Sequence, residues 1–303
     1  FYFFKHIQSR LILTSHTAAM KLPHLAALTV TLFLTSSSYT ASAHDGHTHA
    51  PVVDVPTSDI NLNTPWNGKR VAFLGDSMTD PRNKSTKKHY WKYLETLMGI
   101  KPEVHARSGY KWDGIRKKAE ELHDAVGDSI DAILIWAGTN DYNHSIPIGK
   151  FYAEELDSVN VNGTIVERKH RTFLMNDSTF TGNINRTMSY LKHTYPDKQI
   201  IIMTPIHRGY AKFNERNVQP DENYANGQGL YVESYINTLR EAATLWAVPL
   251  IDLYSGSGLF PMEENHSRYF HSKEMDLLHP NDPGHYRIAR TIQAKLNSLP
   301  PTF

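Results

Sequence analysis

The pattern of hydrophobic and polar positions switches repeatedly between strand and helix character along the chain. Four short, mainly apolar runs are typical of strands covered on both faces, and one further short segment of mixed polarity is interpreted as a strand. Between them lie longer segments with apolar residues at helical spacing. The predicted strands cover residues 70–74, 103–106, 131–137, 199–204 and 249–253. The predicted helices cover residues 89–98, 113–126, 179–195, 231–246 and 282–296. This alternation predicts a parallel sheet with helices on both sides.

The connections define the expected architecture further. Right-handed crossovers between parallel strands predict an α/β fold, a three-layer α/β/α sandwich with a flavodoxin-like five-stranded parallel sheet of order 2-1-3-4-5. Insertions near residues 142–176 and 207–229 are longer than ordinary loops. Asn162-Gly163 in the first insertion, between β-prone residues, is typical of a hairpin turn. Both insertions follow strand ends, so we expect them to form pocket walls; for the hairpin, mere decoration is the alternative.

The N-terminal part of the chain does not follow this pattern. We interpret residues 1–19 as a non-native or mis-called leader and residues 20–43 as a signal peptide. A weakly positive start, an apolar core too short to span a bilayer and a small-residue cleavage site follow one another there. An uncleaved anchor is the alternative. Residues 44–66 form a polar lead-in, and residues 67–303 form the predicted α/β domain. We therefore expect an exported protein, periplasmic or secreted, with no stable membrane insertion once the signal peptide is removed.

Composition narrows the classes of function. The chain has 32 basic and 31 acidic residues. This balance argues against a nucleic-acid-binding protein, which needs a concentrated basic face. The chain has no cysteine, so its stability must come from its core rather than from disulfides. His44, His47 and His49 could bind a metal, but we favour a mobile polar tail because chain ends are usually disordered. No metal or cofactor is expected in the functional site.

A serine stands where the first predicted strand ends, at Ser77. Ligands of open α/β sheets bind at this edge. A serine is a weak nucleophile that needs a base, a group orienting that base, and donors for the oxyanion. His279 falls at the same edge, in the loop between the fifth predicted strand and the last helix, and Asp276 lies three residues earlier on that loop. A turn can therefore bring the carboxylate to one ring nitrogen while the other faces the serine. Gly109 and Asn140 end the second and third strands, where amides could converge on one oxygen.

Four short motifs resemble, in the same order, the sequence blocks of the SGNH (GDSL) hydrolase family. They are Gly75-Asp76-Ser77, Gly109, Gly138-Thr139-Asn140-Asp141 and Asp276-Leu277-Leu278-His279. The resemblance spans residues 70–296 and implies a flavodoxin-like fold and hydrolysis of carboxylic esters. It implies Ser77 as nucleophile, Gly109 and Asn140 as oxyanion donors together with the Ser77 amide, and His279 as base with Asp276 as its partner.

The sequence also departs from the family pattern in the long region after Asp141, so a substrate cannot be carried over from a compact relative. No Gly-x-Ser-x-Gly occurs, which argues against the nucleophile elbow of the α/β-hydrolases. After the fourth strand, His207, Arg208 and Tyr210 are candidates for substrate contact, and stabilisation of their loop is the equal alternative.

Other conspicuous residues are interpreted as structural. Asp76 is expected to shape the turn after the first strand, and Asp141 to cap a helix or shape its own loop. Trp112 and Trp136 are most simply core or rim aromatics. His285, six residues after the candidate base, is expected to face the surface of the last helix.

These observations predict an exported serine esterase that removes short acyl groups, such as acetyl, from carbohydrate through an acyl-enzyme on Ser77. The expected partner is a small-molecule or glycan ester. Export, the polar residues 214–228 and the absence of an apolar lid pattern favour this substrate class. The alternative is a lipid or lysophospholipid esterase or a thioesterase. A hypothesis of another class is a non-catalytic glycan-binding protein on the same fold.

Overall fold

A computed structural model describes residues 50–302. The predicted leader, the signal peptide and the histidine-rich start of the lead-in lie outside the described residues. In chain order the strands are β1 (Arg70–Gly75), β2 (Lys101–Ala106), β3 (Ala132–Trp136), β4 (Tyr152–Val161), β5 (Thr164–Phe173), β6 (Gln199–Met203), β7 (Ala211–Asn214), β8 (Asn217–Gln219), β9 (Leu250–Ile251), β10 (Phe270–Ser272) and β11 (Asp276–Pro280). The α-helices are α1 (Tyr90–Met98), α2 (Trp112–Val126), α3 (Thr139–Asn143), α4 (Phe180–Thr194), α5 (Val232–Leu245), α6 (Leu253–Gly256) and α7 (Asp282–Ser298).

The central sheet has five parallel strands in the order β2-β1-β3-β6-β9. Numbered among themselves, these strands have the order 2-1-3-4-5, so the predicted flavodoxin-like topology is confirmed. The order reverses between β1 and β3, and ligands of such sheets bind beyond the carboxyl ends of the strands at this point.

Both faces of the inner strands β1, β3 and β6 are buried, which explains why these strands are continuous apolar runs, whereas the edge strand β2 is of mixed polarity. In β1, Val71 and Phe73 belong to one hydrophobic core, and Ala72 and Leu74 to the other. Buried residues of α1 and α7 complete the first core, and those of α2, α4 and α5 complete the second. The result is the predicted three-layer α/β/α sandwich.

Buried aromatic and titratable residues fix the packing of the helices. Trp136 lies in the first core and Trp112 in the second, both fully buried. The expectation that His285 faces the surface is wrong, because α7 turns it against α1. Its Nδ1 accepts the backbone N–H of Tyr90, the first residue of α1, at 3.2 Å, and so satisfies one of the free donors at the start of a helix. Burial holds the pKa of His285 well below its usual value, so the ring is neutral and can accept.

A second, antiparallel sheet of order β10-β11-β7-β8 was not predicted. Its strands have three to five residues and mixed polarity, too short for a periodic signal. Ala211 in β7 pairs with Asp276 in β11. Backbone bonds from Leu277 N–H to the Tyr210 carbonyl and from Gly209 N–H to the Leu277 carbonyl extend the pairing. This small sheet therefore joins the segment after β6 to the strand that precedes α7.

Strands β4 and β5 form a separate two-stranded hairpin. Asn162 and Gly163 make its turn with φ of 54° and 86°, as expected of an Asn-Gly turn with two left-handed residues. Most of the hairpin's side chains are exposed. At its base Phe173 stacks on Trp246, with ring centroids 4.4 Å apart, and Tyr152 packs against Phe173. Aromatic packing at its base thus connects this ribbon of two ten-residue strands to the sandwich.

Candidate active site

Three side chains form a continuous hydrogen-bonded line at the carboxyl end of β1. Nε2 of His279 lies 2.9 Å from Oγ of Ser77. Nδ1 of the same ring lies 2.9 Å from Oδ2 of Asp276. The carboxylate bond places the ring proton on Nδ1, which leaves Nε2 as the acceptor facing the serine hydroxyl. The line can therefore pass a proton from the hydroxyl to the imidazole.

The sequence placed Asp276 and His279 on a loop, whereas the structure places both on β11. Residues three apart on a regular strand point to opposite faces. Here Oδ1 of Asp276 accepts the backbone N–H groups of Leu278, at 3.1 Å, and His279, at 2.9 Å. These two bonds curl the backbone like an Asx turn and leave Oδ2 free to meet the imidazole.

The electrostatics of Asp276 suit an orienting carboxylate. Burial alone would raise its pKa, but the hydrogen bond and charge of His279 and the two backbone N–H groups outweigh this effect. The pKa of Asp276 is therefore lowered below its ordinary value. Asp276 is ionised at neutral pH, and its charge stabilises an imidazolium.

Two backbone donors border the same space. Among residues 50–302, neither the Ser77 N–H nor the Gly109 N–H donates to a protein acceptor. Gly109 has a φ of +82°, a left-handed conformation that favours glycine. Both residues line the cavity in front of Ser77. Unpaired N–H groups at such a position can stabilise a developing negative charge.

Asp80 ties together the loops that carry these donors. Its Oδ2 accepts the Ser108 N–H at 2.8 Å, and its two oxygens bind the guanidinium of Arg82 at 2.8 and 3.0 Å. Burial would raise the pKa of Asp80, but the hydrogen bonds from Arg82 and Ser108 prevail and lower it to about 2. The carboxylate thus fixes the loop after β2, with Gly109 in it, against the loop after β1.

Asn140 reaches the cavity from the start of α3, but its amide is already engaged. Nδ2 donates to the Tyr110 carbonyl at 3.0 Å and to Oδ2 of Asp76 at 3.3 Å. Asp76 also accepts the Met78 N–H at 3.0 Å, the turn-shaping bond expected of it. Burial raises the pKa of Asp76 to about 6. Asp141, also buried, accepts the N–H of Trp112 at the start of α2. Both aspartates therefore have structural contacts.

The cavity in front of Ser77 has a volume of about 210 Å³. Ten residues line it, of which four were predicted as site residues and six were not. The lining residues are Ser77, Asn83, Ser108, Gly109, Asn140, Phe213, Asn217, Gln219, Leu278 and His279. Three of the six unassigned residues come from β7 and β8, within the segment that the sequence predicted as a pocket wall. The only signal that could have found them was the position of that polar segment after a central strand.

His207, Arg208 and Tyr210 are not among the residues that line this cavity. His207 bonds to Glu222 through Nδ1, and its ring stacks on Tyr254. Arg208 is buried, and it donates to the Pro220 carbonyl at 3.0 Å and to the side chain of Gln219 at 3.3 Å. Burial lowers the pKa of Arg208 to about 10. Arg208 therefore holds a lining residue in place from behind.

The described residues contain no group of three or more side chains suited to hold a metal ion. Across residues 50–302, no helix is both long enough and apolar enough to cross a bilayer.

The flavodoxin-like sheet and the line of Ser77, His279 and Asp276 at its carboxyl edge fit a hydrolase of the GDSL type, and the family comparison agrees. Residues 73–287 match the GDSL-like lipase/acylhydrolase family. The chain therefore belongs to this family of hydrolases, and the resemblance found in the sequence is confirmed. A comparison with curated proteins found no match.

Solved structures share the fold at low sequence identity. A protein from Lactobacillus plantarum is 23% identical, with a TM-score of 0.60, covering 77% of this chain and 98% of its own. A possible lipase from Chitinophaga pinensis is 17% identical, with a TM-score of 0.56, covering 75% of this chain and 99% of its own. A candidate GDSL-like lipase from Parabacteroides merdae is 19% identical, with a TM-score of 0.50, covering 78% and 99%. These similarities establish the fold alone.

Proposed function

We propose that this protein is an exported serine esterase that removes short acyl groups, such as acetyl, from carbohydrate. The observation that carries the proposal is the line from Ser77 through His279 to Asp276, with both joining distances at 2.9 Å. A nucleophile, a base and an orienting group within hydrogen-bond reach are the requirements of acyl transfer by a serine.

In the first half of the reaction, Oγ of Ser77 attacks the ester carbonyl carbon while its proton passes to Nε2 of His279. Asp276 stabilises the imidazolium that forms. The carbonyl oxygen becomes an oxyanion and accepts hydrogen bonds from the N–H groups of Ser77 and Gly109. The 3.3 Å bond from Asn140 to Asp76 is long, so this amide proton is the one available to become the third donor.

In the second half, the carbon–oxygen bond to the alcohol breaks, and the alcohol leaves with the proton from Nε2 of His279. The acyl group stays on Ser77. Water then attacks the acyl-enzyme while His279 removes its proton, and the carboxylic acid departs as the proton returns to Oγ of Ser77.

The size and polarity of the cavity support the proposed substrate class. A volume of about 210 Å³ is small for a long acyl chain. Its wall includes the carboxamides of Asn83, Asn217 and Gln219, which suit a hydroxylated alcohol better than an alkyl tail. Phe213 and Leu278 form the apolar part of the lining and favour the second candidate, an esterase or thioesterase acting on lipids.

A Ser77→Ala variant assayed on p-nitrophenyl acetate tests the chemistry. We expect turnover to fall to background, whereas Ser158→Ala, on the exposed β4–β5 hairpin, keeps wild-type turnover. A folded Ser77→Ala protein with undiminished turnover would refute the proposal. A fluorophosphonate probe adds a second test, because an esterase is labelled at Ser77 and a glycan-binding protein is not.

An acyl-chain series and the mature N-terminus test the finer parts of the proposal. We expect kcat/KM to be highest for C2 to C4 esters, and a strong preference for C8 or longer would favour the lipid candidate. Export rests on the pattern at residues 20–43. Mass spectrometry of the secreted or periplasmic protein should find an N-terminus near His44, and an intact residue 20–43 segment would contradict cleavage.

A further inference from the structure

A second cavity lies beside the candidate active site, with a volume of about 230 Å³. The two cavities share a wall. Asn143 lines the second cavity, and its Nδ2 donates to Oε1 of Gln219, which lines the first, at 2.7 Å. The segment after β8 continues from Gln219 through Pro220, which lines the second cavity, towards Gly227. A ligand that leaves the first cavity over this wall would therefore enter the second.

The chemistry of the second cavity suits a neutral, hydroxylated ligand. Its lining residues are Tyr142, Asn143, Ser145, Pro220, Tyr224, Ala225, Asn226 and Gly227. None of them carries a charge, which disfavours an ionic ligand. Pro220 and Ala225 are its only aliphatic members, too few to bury an alkyl chain. Tyr224 is 63% exposed, so its ring is available to stack against the C–H face of a sugar.

The cavity is held in shape by buried tyrosines. The hydroxyl of Tyr142 donates to the Tyr224 carbonyl. The amide of Asn226 donates to the Tyr142 carbonyl at 3.0 Å and to the hydroxyl of Tyr235 at 2.9 Å. The Gly227 N–H donates to Oγ of Ser145 at 2.8 Å. These bonds fix the backbone from Tyr224 to Gly227, so a ligand would find a site that is already ordered.

We propose that this second cavity is a subsite for a further sugar unit of the same glycan chain whose acyl group is removed at Ser77, with Tyr224 as its stacking platform. The inference rests on the proposed function, and it adds that the substrate is an oligosaccharide or polysaccharide rather than a single acylated sugar. Binding energy from the remote sugar would be used to hold the ester at Ser77.

The test compares kcat/KM for chemically acetylated tetrasaccharides of glucose, mannose and xylose with that for the acetylated monosaccharides. For at least one sugar, we expect the wild-type enzyme to favour the tetrasaccharide. Tyr224→Ala should reduce this tetrasaccharide-to-monosaccharide ratio by roughly three- to tenfold, as expected for loss of an aromatic contact. Tyr224→Phe keeps the ring and should keep the ratio. Tyr231→Ala, an exposed tyrosine that lines neither cavity, is the matched control.

Two results would overturn the subsite. One is the absence of any length preference with all three sugars, and the other is a preference that Tyr224→Ala leaves intact. Failure of the proposed function has a different signature. In that case the acetylated monosaccharides and p-nitrophenyl acetate are not hydrolysed, or a C8 ester is preferred to both.

Discussion

Two long segments interrupt the α/β alternation, and they relate to the site in opposite ways. Residues 207–229 supply β7 and β8, and β7 pairs with β11, the strand that carries Asp276 and His279. Within residues 50–302, β4 and β5 pair with each other and with no other strand, and they contribute no residue to the cavity in front of Ser77. Leu156 and Ile165 on the hairpin are about two-thirds exposed, at 70% and 67%.

The difference shows what makes an insertion part of a site. Both segments leave the same edge of the sheet, and both are β-structured. Only the one that shares backbone hydrogen bonds with β11 is held against the candidate nucleophile and base. A ribbon that pairs with itself has its polar backbone satisfied without that contact, so it can project from the domain.

The largest expected effect comes from replacing the carboxylate of Asp276, on β11, by a carboxamide. Asp276→Asn would present an N–H to Nδ1 of His279, so the ring proton would move to Nε2 and block proton transfer from Ser77. We expect kcat on p-nitrophenyl acetate to fall by about 10⁴-fold. Asp157→Asn on the β4–β5 hairpin is the control and should be neutral. A loss of less than about tenfold at Asp276 would contradict this assignment.

Shortening the two hairpins tests the comparison directly. Replacing residues 213–218 by Gly-Gly removes Phe213 and Asn217 from the cavity wall and leaves the pairing of Ala211 with β11 in place. The ring of Phe213 packs against that of His279, with centroids 5.3 Å apart. We expect kcat/KM to fall by about 10²-fold, because loss of this wall loosens the positions of the base and the substrate, and small displacements of reacting groups are costly. Replacing residues 155–170 by Asn-Gly keeps the base of the other hairpin and should leave kcat/KM within about twofold. Equal losses of kcat/KM in the two shortened proteins would show that the two hairpins do not differ in their importance for the site.

A smaller effect is expected from the arginine behind the cavity wall. Arg208→Met removes the hydrogen bonds to Gln219 and Pro220 while keeping most of the side-chain volume. We expect kcat/KM to fall about tenfold and the free energy of unfolding to fall by about 2 kcal/mol. Arg171→Met, on the exposed hairpin, should change neither measurably. Urea unfolding and steady-state kinetics of both variants provide the readouts. A fully active Arg208→Met enzyme would show that Arg208 is not needed to hold the cavity wall in place.

The smallest expected effect concerns the stability of the protein at acidic pH. The pKa of Asp80 lies at about 2 when folded, below the ordinary 3.8. Asp80 therefore stabilises the fold above pH 3.8, and this contribution is lost as the pH falls from 3.8 to about 2. Asp80→Asn should be less stable than wild type at neutral pH and lose stability less steeply in that window. Asp157→Asn should leave the dependence of stability on pH in this window unchanged. If the stability of Asp80→Asn fell with pH as steeply as that of the wild type, the carboxylate of Asp80 would not be what holds these loops together.

Much of the fold could be predicted from the sequence, because its signals are local. Four of the five central strands contain short apolar runs, and each main helix has apolar residues at helical spacing. The type and order of these elements therefore followed from the local pattern, and the mixed strand β2 followed from its place in the alternation. The small sheet escaped prediction because β7 and β8 are only four and three residues long. They are attached to the sheet by the pairing of β7 with β11, a contact between residues distant in sequence. The prediction for His285 was wrong because the sequence around one polar residue of a helix does not show which element packs against it. In the structure the start of α1 packs there, and its Tyr90 N–H needs the acceptor that His285 supplies.

Sequence patterns alone predicted the parallel sheet, its strand order and the family. They also brought Ser77, Gly109 and Asn140 together, since parallel strands end at one edge. The remaining features come from the tertiary structure, which curls β11 so that Asp276 reaches His279. It placed Arg208 behind the cavity, filled the wall with Phe213, Asn217 and Gln219, and separated the two insertions into one that borders the site and one that does not. The physical reason is that these outcomes depend on hydrogen bonds and packing between segments far apart in the chain, which no local pattern encodes.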